Sequence, residues 1–68
     1  MIAQRETFYR CTFSSPTAQV TAHVRAWDVD EAVQLFRTEL ETDGVEERGT
    51  IDVSQLDGRD HHRASYRP

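Results

Sequence analysis

Residues 19–33, Gln19-Val20-Thr21-Ala22-His23-Val24-Arg25-Ala26-Trp27-Asp28-Val29-Asp30-Glu31-Ala32-Val33, change their hydrophobic period at Trp27-Asp28, and that change decides the fold. Before it, Val20, Ala22, Val24 and Ala26 alternate with Thr21, His23, Arg25 and Trp27. Period two argues for a strand with one buried face. After it, Val29, Ala32, Val33, Phe36 and Leu40 fall on one stripe of a 3.6-residue period, with Leu35 at its margin. Asp28 is the expected N-cap, and Glu31 three residues on completes a capping-box pattern. Asp30 and Glu31 place negative charge at the positive end of the helix dipole. Trp27 stands where a hydrophobic staple would pack over Ala32. Gly44 supplies the left-handed residue that ends many helices.

Upstream, Thr7-Phe8-Tyr9-Arg10-Cys11-Thr12-Phe13 is β-branched and aromatic and suits a strand. Tyr9, Cys11 and Phe13 would share one face, and Phe8, Arg10 and Thr12 the other. Ser14-Ser15-Pro16-Thr17 reads as a turn, because proline fixes φ and lacks an N–H. Downstream, a third strand is expected within residues 47–55. Ile51 and Val53 would point inward, and Thr50, Asp52 and Ser54 outward. Gly49 is expected to weaken its start as a bulge. Leu56 is expected to cover the end of the core.

The order strand, strand, helix, strand gives an α+β fold of two layers, ββαβ. Its three-stranded antiparallel sheet has the order 2-1-3, with the helix packed on one face through a right-handed crossover. The expected core is Tyr9, Cys11, Phe13, Val20, Ala22, Val24, Val33, Phe36, Leu40, Ile51 and Val53. The single domain would occupy residues 1–57. Residues 58–68 carry Arg59, Arg63 and Arg67 against Asp60 and lack periodicity, so they read as a disordered, flexible basic tail.

A chain of 68 residues allows one domain with a small core. The lone Cys11 cannot form an internal disulfide, and small secreted domains are usually disulfide-dense. No apolar run approaches the roughly 18 residues of a membrane span. Met1-Ile2-Ala3-Gln4-Arg5-Glu6 lacks the apolar centre of a signal peptide. A cytoplasmic protein without membrane contact is therefore expected. Arginine supplies all the basic charge outside histidine, and the net charge is −4. Residues 1–57 hold eleven acids and five arginines and carry −6, whereas residues 58–68 carry +2.

Two surfaces can be placed from these patterns. Asp30, Glu31, Glu41, Asp43, Glu46 and Glu47 lie on or after the helix, away from its apolar stripe, and could meet a basic surface on a partner. The open sheet face would present Phe8, Arg10, His23, Arg25 and Trp27, residue types enriched at the energetic centres of interfaces. Neither His61-His62 nor Cys11 has the converging spacing of zinc ligands, so no metal or cofactor is expected. Cys11 and His23 fall on opposite sheet faces. No phosphate-cradling glycine loop, nucleophile elbow or H-E-x-x-H is present, so enzyme chemistry is not expected.

With the elements placed, the chain resembles the small hairpin–helix–strand proteins encoded by bacteriophages and other mobile elements. The resemblance rests on Phe8 to Phe13, on Val20 to Trp27, and on Asp28-Val29-Asp30-Glu31-Ala32-Val33. It covers roughly residues 7–56 and is one of architecture. Within that group, anti-CRISPR proteins are similar in being short, acidic, single-domain and non-enzymatic. The resemblance implies docking onto a host protein or ribonucleoprotein complex, and it assigns no residues.

The leading expectation is thus a protein-binding inhibitor that occludes a host complex through its acidic face. The alternative is a structural module that forms a homodimer through the open sheet face. A nucleic-acid-binding accessory protein is the third, disfavoured by net charge because such binding draws on phosphate neutralisation.

Overall fold

The computed structural model describes residues 6–68; the leader reading of Met1 to Glu6 therefore lies largely outside the described residues. Strand β1 is Thr7–Ser14, β2 is Gln19–Ala26, helix α1 is Val29–Thr42, and β3 is Gly49–Gln55. A fourth strand, β4, is His62–Tyr66. All neighbours in the sheet are antiparallel, and their order is β2-β1-β3-β4. The α+β class and the single helix on one sheet face agree with the sequence. The three-stranded 2-1-3 sheet is incomplete, and the stretch expected as a flexible tail supplies the missing edge.

That correction has a local and a long-range cause. Locally, Asp57-Gly58 makes the chain turn. Gly58 has φ +89° and Asp60 has φ +56°. The Gly58 N–H donates to the Gln55 carbonyl at 2.8 Å, and the Gln55 N–H to the Arg59 carbonyl at 2.8 Å. At long range, Tyr66 is buried and meets Phe13 edge to face, with ring centroids 5.4 Å apart and planes at 77°. Its hydroxyl donates to the Val45 carbonyl at 2.8 Å. One tyrosine thereby ties the last strand to the first strand and to the loop after the helix.

Gly49 makes room for this arrangement. It lies in register inside β3, opposite Tyr66, and forms no bulge. A Cβ there would strike the Ser14 carbonyl oxygen and stand 2.5 Å from Phe13 Cε1.

The core on the helix side is Tyr9, Cys11, Phe13, Ala26, Ala32, Val33, Phe36, Leu40, Ile51, Val53 and Tyr66. Ala22 and Val24 are only partly buried. Val20, expected in the core, is 40% exposed, because the helix does not reach the hairpin end of β2. Leu56 lies in the β3–β4 turn and is also exposed, so it does not cover the core. Burial, then the Glu39 carboxylate, pushes the Cys11 thiol up to about 11.

Both helix ends are built as their residues dictate. The Asp28 side chain accepts from the Glu31 N–H at 2.8 Å. The Glu31 carboxylate accepts from the Trp27 N–H at 2.9 Å, one residue earlier than in the usual capping box. At the other end Gly44 has φ +79°. Its N–H donates to the Glu41 carbonyl at 3.0 Å, and the Val45 N–H to the Leu40 carbonyl at 3.0 Å, which is a Schellman motif.

Candidate functional site

The sheet face opposite the helix is the surface on which chemistry-bearing side chains meet. The register lays it out in rows. Arg25 stands opposite Phe8; His23, Arg10 and Ser54 form the next row. Thr21, Thr12, Asp52 and Arg63 form the third, and Gln19, Ser14, Thr50 and Ser65 the fourth. Strand alternation alone puts them there. Thr12 and Thr21 pair through their hydroxyls at 3.4 Å.

Phe8 is 47% exposed, with the Arg25 guanidinium 4.9 Å above its ring centroid. This cation–π contact fixes a flat aromatic surface beside a positive charge. Arg10 is exposed near the middle of the face and has no side-chain partner among the described residues. On the far side, Asp52 Oδ1 accepts from Arg63 Nε at 2.9 Å and lies 3.0 Å from His61 Nε2. Partial burial pushes the Asp52 carboxyl up, but the bonds and charges of Arg63 and His61 outweigh it. The carboxyl therefore titrates below the usual aspartate range. Arg63 bonds Asp52 through Nε, and its side chain is largely exposed.

Of the residues placed on this face from sequence, the structure brings together Phe8, Arg10, His23 and Arg25. Trp27 lies beyond the end of β2, at the entry to the helix, and is 49% exposed there rather than seated in the rows. Arg63 and His61 were missed, because their place depends on β4. The Asp57-Gly58 pair was the available signal for that hairpin.

The acidic surface divides. Glu31 is engaged at the helix start. Glu47 accepts from the Ser15 hydroxyl at 2.6 Å and from the Thr17 hydroxyl, and so fastens the β1–β2 turn to the loop between α1 and β3. Those two bonds, Ser15 first, hold its carboxyl below the usual glutamate range. Asp30, Glu41, Asp43 and Glu46 are exposed. Asp30 is in the first turn, and the other three lie at the helix end or just beyond it, about 16–20 Å along the axis for a rise of about 1.5 Å per residue. They do not form one patch.

These carboxylates give a pH signature. In the folded chain Glu47, Asp52 and Asp57 all titrate low, Asp57 chiefly through the Arg59 N–H. A depressed folded pKa adds stability that is fully present above the unfolded value and is lost as pH falls through the folded one. The melting temperature should therefore hold down to about pH 5 and drop below about pH 4, where unfolded carboxylates protonate. Thermal melts of the wild type and a Glu47→Gln/Asp52→Asn variant test this; the variant should have the shallower acid limb.

An open groove of about 460 Å³ runs between α1 and β2, lined by His23, Val24, Leu35, Thr38, Glu39 and Thr42. Among the described residues no three of His, Cys, Asp or Glu converge as a metal site. No helix there is long and apolar enough to cross a membrane. No family model, curated protein or solved structure matches the chain.

Proposed function

We propose that the chain is a small binding protein that acts by covering an anionic surface of a larger partner with its open sheet face. The observation that carries this reading is charge segregation. Among the described residues of the four rows, Arg10, Arg25 and Arg63, with His23 and His61 beside them, meet a single carboxylate, Asp52. The exposed acids Asp30, Glu41, Asp43 and Glu46 belong to the helix and its exit loop. A chain of net charge −4 thus presents one cationic face, and local charge governs docking more than the total does. Occlusion of a host complex, as the mobile-element resemblance implies, needs nothing more than such a face. A homodimer through the same face would bring Arg10 and Arg25 of each copy toward like charges, which disfavours it.

Retention on immobilised heparin at pH 7 tests the reading. The wild type should be retained at low salt despite its net charge. Arg10→Glu/Arg25→Glu should flow through, and Glu41→Lys/Glu46→Lys should stay bound. Loss of retention by none of these variants, or no retention of the wild type, rejects the sheet face as the docking surface.

A further inference from the structure

Resting on that reading, we infer that the anionic partner is single-stranded nucleic acid, laid diagonally across the sheet from Arg25 through Arg10 to Arg63. Three observations favour it over an acidic protein. First, within its four rows Phe8 is the one apolar side chain among the described residues, with exposed Trp27 and Leu56 lying beyond the strand ends. Protein interfaces need a desolvated apolar centre, whereas nucleic-acid interfaces are polar, wet and cationic. Second, Phe8 is half exposed with the Arg25 guanidinium carbon 4.9 Å from its ring centroid, an aromatic ring and a guanidinium group of the kind on which an unpaired base stacks. Third, the arginines are spaced as a track rather than a cluster. With strands about 4.8 Å apart and about 3.4 Å per residue, Arg25 to Arg10 is about 8 Å and Arg10 to Arg63 about 12 Å. That line suits backbone phosphates one and then two nucleotides apart, and the Thr12, Thr21 and Ser54 hydroxyls between them can donate to phosphate or sugar oxygens.

Duplexes fit poorly, since their bases are already stacked and cannot lie on Phe8. The acidic body beyond the rim restricts the strand to the sheet and limits affinity, so binding should be salt-sensitive and moderate.

Fluorescence anisotropy with labelled U12 RNA, dT12 DNA and a 12-base-pair duplex tests the inference between 25 and 200 mM salt; about these lengths exceed one sheet face. The single strands should bind, with a log–log salt slope of about −2, as three neutralised phosphates at about 0.7 each require. Phe8→Ala should weaken binding roughly 5- to 150-fold with the slope unchanged, the range seen for loss of one base stack. Arg10→Glu should weaken binding and flatten the slope. Both residues are exposed, and circular dichroism confirms that each variant is folded. Equal affinity for the duplex, no effect of Phe8→Ala, or full displacement by poly-glutamate at equal charge overturns the inference. Heparin retention that survives any of these results leaves anion docking standing and shifts the partner to an acidic protein; its loss removes both.

Discussion

Tyr66→Ala will leave much of the chain unfolded at 25 °C. The side chain is buried, packs edge to face on Phe13, and donates to the Val45 carbonyl. Truncating a buried aromatic to alanine costs about 3–5 kcal/mol, from lost transfer energy and the cavity left behind. At about 0.05–0.15 kcal/mol per residue, a domain of this size has only about 3–10 kcal/mol in total. The substitution also removes the anchor of β4, so Ile51, Val53 and the outer edge of β3 become accessible to water. Tyr66→Phe keeps the ring and loses one hydrogen bond, a change of about 1 kcal/mol. Urea titration followed by circular dichroism separates the two. A midpoint for Tyr66→Ala equal to that of Tyr66→Phe would mean that the ring contributes little and that β4 is an accessory.

Gly49→Ala should be the next most damaging change, at about 1–3 kcal/mol or more, the usual cost of forcing atoms into a filled core. The reason is space. Gly49 does not need a left-handed backbone, unlike Gly44 and Gly58, whose φ values are positive. Its missing side chain is what lets Phe13 and the Ser14 carbonyl approach. Phe13→Leu in the same chain should recover part of the loss, because one of the two obstacles is then smaller. Residues in contact are expected to be non-additive in this way. Denaturant midpoints of the single and double variants give the coupling directly. Strict additivity would place the damage at the Ser14 carbonyl alone. Gly44→Ala, with nothing within 4 Å of a Cβ, serves as the conformational control.

These two residues also explain what could and could not be read from sequence. The hairpin and helix were legible because their signals are local: period two in Val20 to Ala26, the Asp28/Glu31 cap, and Gly44 in the left-handed position. The faces of β1 and β2 followed from the same alternation, which is why Phe8, Arg10, His23 and Arg25 were placed together. The stretch 62–66 gave only Ala64 and Tyr66 as an inward pair, too short for a periodic signal, and its arginines suggested solvent. What orders it is a slot opened by Gly49 and a carbonyl at Val45, both distant in sequence. The hydrogen bonds of Glu47 are not legible for the same reason, since its partners Ser15 and Thr17 lie some thirty positions away. Glu31 served two readings, and its capping role is the one the geometry realises. Net charge is an overall sum and does not report which side of a sheet the arginines share.

The strand order distributes rigidity unevenly beneath the cationic face. Strands β1 and β3 have a ladder on both sides, whereas β2 and β4 are rims with one row of backbone groups turned to water. Amide protons of β1 and β3 should therefore exchange with solvent most slowly, and opening should begin at the rims. Arg10 rides on the slow centre, and Arg25 and Arg63 ride on the two rims. A ligand lying across the sheet would thus meet one fixed cation between two that can yield, and its arrival would quieten the rims more than the centre.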